Sequence, residues 1–411
     1  MLYAPERILV APSGFKESLS AIEVADAIAA GIRRVLPGSR VDTFPVPDGG
    51  EGTVDILAQR QGAVTHTETV MGPVGKKVQA TWVEFPESGV GVMEMASCAG
   101  LALVPSDMRD PGATTTYGVG ELINIMIAHG CTKIVVGCGD SGTSDGGAGA
   151  LEALGVVALD KKGEKVKRGG SNLVHAKSLD TSGMNPRLRD VTITMACNRH
   201  NVLTGKRGVA RVFGPQKGAT KVQVKELAEG LSCWADLLVD TFKPVDDLHK
   251  GPGSGASGGL GAGLMALGAV AGERFDVLLE QLPAERNLDE LICVADLVIT
   301  AEGAIDFQTP RGKVPAEIAR RCQKTGVPLM GLAGSLGEGA PTVHDVGIGA
   351  VQSIMTIPMD LEDAVRDGRD LLVDASERSM RLLQLGCTVA GRQETKLRAL
   401  YTRTIAPVAS P

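Results

Sequence analysis

The densest reactive chemistry in this 411-residue chain lies in residues 137–147, GCGDSGTSDGG, where Asp140, Asp145 and three hydroxyl side chains are interleaved with five glycines. Glycines let backbone N–H groups approach a phosphate, and the positive end of a following helix favours negative charge there. Ser141, Gly142, Thr143, Ser144, Gly146 and Gly147 are therefore candidates for a nucleotide-phosphate cradle. A loop built only for phosphate gains nothing from carboxylates, whereas one that also binds Mg2+ or accepts a proton does. The competing reading is a tight strand-to-helix turn of the kind any α/β enzyme carries.

Further candidates stand at other turns. Lys16 follows the apolar run RILVAP at 7–12, a place that suits solvent or phosphate. Asp48 precedes Gly49-Gly50 in PVPDGGEGT, either as a plain turn or as a second acidic loop at a strand end. Arg199, His200 and Asn201 follow VTITMAC, and His200 is the one histidine at such a strand end. Lys217 lies between turn residues in GPQKGAT, and Glu302, Asp306 and Lys313 surround the turn after ADLVIT.

Elements must position these residues. RILVAP reads as a strand, and the apolar spacing of Ile22, Ala25, Ile28, Ala29 and Ile32 predicts a helix up to Pro37, capped by Ser18 or Ser20. Ligands of such folds gather at the C-terminal ends of parallel strands. Residues 63–99 alternate like antiparallel strands around a Gly/Lys turn. IVVG at 134–137 and VTITMAC at 191–197 are further strands, with a turn-rich excursion between them. The run GPGSGASGGLGAGL at 251–264 leads into an apolar helix, LMALGAVA, and reads as a helix-N-terminal nest or an interdomain linker. Strand, turn and helix alternate again in the last third, which ends in an amphipathic helix from Leu361 to about Leu385.

Composition removes several function classes. The net charge of −6 comes without a basic block and aromatics are only 3 %, which argues against a nucleic-acid partner. No apolar run reaches membrane-spanning length and no signal-peptide pattern opens the chain, so a cytoplasmic location is expected. The eight cysteines form no C-x-x-C pair, so neither zinc nor a disulfide framework is indicated and free thiols are expected. A nicotinamide dehydrogenase is disfavoured, because no G-x-G-x-x-G follows the first strand.

Seven blocks in one order carry a family resemblance: VAPSGFKESLSA, PVPDGGEGT, GELI…GCGDSGTSDGGAGALEALG, GPQKGA, GSGASGGLGAGL, ADLVITAEGAID…GK and GLAGS. Over about residues 7–392 the chain resembles the type I glycerate kinases. That resemblance implies two α/β domains with mostly parallel sheets, the second inserted into the first, and an active site in the interdomain cleft. Residues 1–65 with 285–411 would form one domain and 66–284 the other. It also implies ATP, Mg2+, a small hydroxy acid as substrate, and phosphorylation of D-glycerate to 2-phosphoglycerate. Lys16 is then assigned to the transferring phosphoryl group, and Asp48 or Asp145 to the base or an Mg2+ ligand, unranked. Glu302 and Asp306 take the metal, Lys217 joins the phosphate loop, and Ser13, Arg199, His200 and Asn201 hold the acceptor carboxylate.

The chain departs from the family text in several loops. Asp140 replaces a common glycine and Gly142 an alanine. Asn198 to Val202 replace an Asp-Val-x-Asn-Pro run, Ala304 replaces an arginine, and Ser13-Gly14 stand where aspartate and serine are common. An acceptor other than glycerate and a non-catalytic nucleotide-binding homologue are the alternatives, and a homodimer is left open.

Overall fold

A computed structural model describes residues 4–16, 18–280 and 284–405. The protein is α/β, and it divides into two compact units, residues 1–46 with 286–411 and residues 47–285. The first boundary therefore falls at Pro47 and not near residue 65. The reason is local: the short helix Thr53–Leu57 buries Val54 and Leu57 against Val83, Val92 and Val135 of the second unit's sheet.

In unit 1 five strands lie in the order Ala350–Ser353, Leu329–Leu336, Leu297–Ile305, Arg7–Val10 and Arg40–Thr43, and every pairing is parallel. The Leu297–Ile305 strand runs past the expected Thr300, so Glu302 and Ala304 are strand residues, paired with Ala333 and Ser335. Helix Ala21–Val35 starts on a capping box in which Ser20 and Glu23 exchange hydrogen bonds. Its apolar face, with Val24, Ile28 and Ile32, joins Ile8, Val10, Ile299 and Leu372 in one core. It meets the long helix Gly368–Ile405 so closely that a β-carbon at Gly31 would lie 2.3 Å from the Val373 carbonyl oxygen. The expected C-terminal helix is in fact two, Leu361–Arg366 and this longer one.

Unit 2 holds a six-stranded sheet in the order Val270–Glu273, Thr192–Cys197, Lys133–Gly137, Val90–Glu94, Lys77–Phe85 and Val64–Met71. The first four are mutually parallel, and the last two form the antiparallel hairpin that the alternation at 63–99 predicts. The turn-rich excursion contributes a separate two-stranded ladder, Val157–Leu159 with Ser178–Asp180. Residues 270–273 overturn the expectation of a helix through LMALGAVA. The helix stops at Ala266, the chain turns at Gly268 with φ +92°, and Val270–Glu273 joins the sheet as a short edge strand. No helix among the described residues is long and apolar enough to cross a membrane. All eight cysteines are free thiols.

Candidate active site

The parallel strands of unit 2 end at Glu94, Gly137, Cys197 and Glu273, and the 47–53 loop lies across these ends. Gly49 makes the approach: its carbonyl accepts from the Gly139 N–H at 2.9 Å, its φ is +83°, and a β-carbon there would sit 3.1 Å from the Ala196 carbonyl oxygen. Asp48 Oδ1 accepts from the Gly50 N–H at 2.8 Å, which turns the loop and aims the carboxylate. Asp140 Oδ2 accepts from the Glu51 N–H at 3.1 Å. The two carboxylates converge on one point, the place a Gly50 β-carbon would take, at 2.3 Å for Asp140 Oδ2 and 3.1 Å for Asp48 Oδ1. Asp140 holds φ +49°, a left-handed conformation that favours glycine and that aspartate tolerates.

Arg274, one residue past the edge strand, is the cation of this group. One guanidinium nitrogen lies 4.0 Å from Asp48 Oδ2 and donates to the Asp48 carbonyl at 3.3 Å. Sequence reading missed Arg274 because it missed the strand that places it; a four-residue run, VAGE, after a glycine-rich helix gives almost no periodic signal. Arg199 and His200 are exposed just beyond Cys197, and Asn201 is half-buried. The Cys197 thiol is pushed up to about 12 by burial and by Glu273, against the pull of Arg199 and Arg274. Both arginines thus flank one strand end. The His200 N–H is held by Asn198 Oδ1 at 3.0 Å, and the carbonyls of Arg199 and Asn201 accept from Gly253 and Gly255.

Glu94 was also missed. Its buried carboxylate accepts from the N–H groups of Val54 at 3.2 Å and Gly52 at 3.4 Å, so it anchors the start of the Thr53–Leu57 helix. Burial pushes its carboxyl up to about 7, against those two donors. A raised carboxyl contributes stability that is fully present below the unfolded value near 4.5 and is lost as pH rises through about 7. Glu94→Gln is therefore expected to flatten the stability profile between pH 5 and 8. Thermal melts of both proteins across that range check this, and parallel profiles would contradict it.

The glycine-rich loop divides in two. Residues 138–141 are partly exposed, whereas Gly142, Thr143, Ser144, Gly146 and Gly147 are buried and do not form the expected open cradle. The helix that follows, Ala148–Ala153, has its first N–H groups already taken. Gly147 and Gly149 donate to Asp145, and Ala150 donates to Thr116 Oγ1. Asp145 is 0 % exposed and also accepts from the N–H and hydroxyl of Thr116 at 2.8 and 2.9 Å. Burial pushes its carboxyl above the ordinary range while these donors pull it down. The negative charge at this helix start is Asp145 itself. It braces the loop and is not placed to act as a base or metal ligand.

Two further expectations change for the same reason. Lys217 is 3 % exposed, with its ammonium donating to Ser141 Oγ at 2.8 Å and to the Thr143 carbonyl at 2.7 Å. Burial lowers it to about 7 although Asp145 opposes this. It staples the loop from within and does not reach out to a phosphate. The 251–264 run is neither linker nor nest. It lies on the buried half of the loop, with the Gly146 N–H donating to the Gly258 carbonyl at 3.1 Å. A β-carbon at Gly258, where φ is +70°, would fall 1.9 Å from the Thr143 carbonyl oxygen.

In unit 1 the candidates gather at the ends of two strands. Ser13 is buried and donates from its hydroxyl to the Ala301 carbonyl at 3.1 Å. Lys16 is exposed on the turn that passes Gly303. Glu302 and Asp306 are not an open carboxylate pair. The Lys313 ammonium lies 3.0 Å from Glu302 Oε1 and 3.9 Å from Asp306 Oδ1, and donates to the Ala304 carbonyl at 3.3 Å. A metal there must displace a cation, so their assignment as metal ligands fits poorly.

Comparison with known proteins follows the same lines. The model of the glycerate kinase family matches residues 8–384. Glycerate 2-kinase of Escherichia coli K12 is 42 % identical over 387 residues, 94 % of this chain and 100 % of that protein. Glycerate kinase of Bacillus subtilis 168 is 41 % identical, covering 87 % of this chain and 92 % of the relative. The crystal structure of a glycerate kinase 2, described as putative, from Salmonella typhimurium LT2 superposes with a TM-score of 0.74 at 37 % identity, over 92 % of this chain and 98 % of that one.

Proposed function

Because the chain belongs to the glycerate kinase family, we propose that it transfers the γ-phosphoryl group of ATP to a hydroxyl of D-glycerate, with Mg2+ as the accompanying ion and 2-phosphoglycerate as product. The name of the Escherichia coli relative supports the position of transfer. The observation that carries the chemistry is the convergence of Asp48 and Asp140 beside Arg274 at the strand ends of unit 2.

Phosphoryl transfer needs positioning, charge neutralisation and an acceptor for one proton. Asp48 Oδ2, the oxygen nearer Arg274, takes the proton of the attacking hydroxyl as the new O–P bond forms and the bond to ADP breaks. Asp48 Oδ1 and Asp140 Oδ2 are the hard-oxygen pair that suits Mg2+, in place of Glu302 and Asp306. When bound, Mg2+ supplies neutralisation of the phosphate oxygens. Arg199 and Arg274 supply cations for the glycerate carboxylate, with His200 and Asn201 beside them, and Ser13 offers a hydroxyl in unit 1. Lys16 is our candidate for the phosphoryl oxygens. Residues 138–141 are the accessible part of the glycine loop; the Gly139 N–H is taken by the Gly49 carbonyl, and the Ser141 hydroxyl, which accepts from Lys217, keeps its own proton to donate to phosphate.

ADP release with Mg2+-ATP, compared across D-glycerate, L-glycerate, tartronate, erythronate and glycerol, tests the reading. Turnover on D-glycerate well above the others, with phosphate on the 2-hydroxyl by phosphorus NMR, is expected. Silence on glycerate with turnover on another acid would redirect the site to that acid. A charge-assisted contact is worth about 1.5–3 kcal/mol. Arg199→Met should therefore raise KM for glycerate about 10–100-fold and leave KM for ATP unchanged. An unaltered glycerate KM removes Arg199 from substrate recognition.

A further inference from the structure

We propose that His66, Glu84 and His129 form a binding site for a transition-metal dication of the zinc class, on the opposite edge of the unit 2 sheet from the reaction chemistry. Glu84 pairs with Gly91, near the start of the parallel strand Val90–Glu94, whereas Asp48 and Arg274 gather at the finishing ends of these strands. The ligand atoms of the three side chains all lie within 4.8 Å of one another. Two imidazoles and one carboxylate are a donor set that Zn2+ takes with a fourth position open to water.

Register and packing place these groups. His66 stands directly opposite Trp82 across the hairpin, and Glu84 follows two residues later on the same face. The His66 ring stacks on Trp82 at 4.3 Å with an interplanar angle of 20°, and His129 meets both rings edge-on at 5.0 and 5.3 Å. Trp82 is fully buried, so it fixes the imidazole plane much as a partner behind a metal ligand does. His66 Nε2 and Glu84 Oε2 share a hydrogen bond at 2.9 Å, and an ion that takes the place of its proton needs them to part only to about 3.3 Å, the spacing of donors on a tetrahedral ion with bonds near 2 Å. His129 is exposed, so a rotamer change can bring its nitrogen the remaining distance.

The helix end adds a second attraction. His129 is the last residue of Tyr117–His129, at the negative end of the helix dipole, which favours a cation although Gly130 and Cys131 cap the Ile127 and Met126 carbonyls. Glu84 also acts on Cys131, whose thiol is raised to about 11 by burial and then by this charge. A bound dication would tie the hairpin to the helix that leads into the strand Lys133–Gly137.

Zn2+ titration of the chelator-stripped full chain, by calorimetry in excess Mg2+ to occupy all-oxygen sites, tests this. Quenching of tryptophan fluorescence by Cu2+ provides a local readout, because Trp82 touches the site while Trp234 donates to the Gly146 carbonyl. The expected result is one Zn2+ per chain and strong quenching, both weakened at least about tenfold in His129→Ala and in Glu84→Gln. His129 is exposed, so its variant keeps the test decisive even if Glu84→Gln folds poorly. Equal Zn2+ binding and equal quenching in wild type and His129→Ala would overturn the proposal, as would no Zn2+ binding by the wild type.

Discussion

Asp48→Asn is expected to lower kcat for glycerate phosphorylation by about 10²–10⁴-fold, the usual range for removing a positioned proton acceptor, with little change in the melting temperature. The amide keeps the shape and can still accept from the Gly50 N–H, which holds the turn. It lacks the charge that faces Arg274 at 4.0 Å and cannot accept the hydroxyl proton. Steady-state kinetics with saturating ATP and glycerate, beside a thermal melt, give both readouts. Turnover within about threefold of wild type would remove Asp48 from the chemistry, because loss of a general base costs far more than that.

Asp145→Asn should do the reverse and act first on stability. All the groups that close on this carboxylate are donors: the N–H groups of Thr116, Gly147 and Gly149, and the Thr116 hydroxyl. An asparagine turns an NH2 group towards N–H groups in a site with no access to water. Leaving buried donors unsatisfied costs about 1–3 kcal/mol each, and breaking a buried charged network about 3–5 kcal/mol. For a domain of this size that corresponds to a fall of about 10 °C in melting temperature. Any loss of activity then follows the folded fraction. An Asp145→Asn protein that melts like wild type yet turns over a hundredfold more slowly would return Asp145 to the catalytic group.

These two substitutions separate residues that look alike in the sequence. Each is an aspartate followed by two glycines, in PDGG at 47–50 and SDGG at 144–147. Local pattern carries the strand, the turn and the chemistry of the side chain, and these are legible. It does not carry solvent access, which depends on residues far along the chain. Asp145 is sealed in because Gly146 bonds to Gly258 and because glycines 258, 259 and 263 let that segment lie directly on the loop. Asp48 stays accessible because its loop crosses the strand ends from outside. The same packing turns Lys217 inward, and within unit 1 the turn before the Val314–Thr325 helix separately sets Lys313 beside Glu302 and Asp306.

The sequence by itself determined the α/β class, the alternation of unit 1, the antiparallel hairpin of unit 2 and, through seven ordered blocks, the family. The first three follow from periodicity and short-range turn chemistry, which act over a few residues, and the family from the resemblance of the blocks themselves. Only the tertiary structure decided which acid faces outward, that Arg274 completes the group, and that His66, Glu84 and His129 meet. The last three are brought together by strand register and by the end of a helix. Register joins residues through hydrogen bonds between strands, so side chains far apart in sequence become neighbours without leaving a local trace.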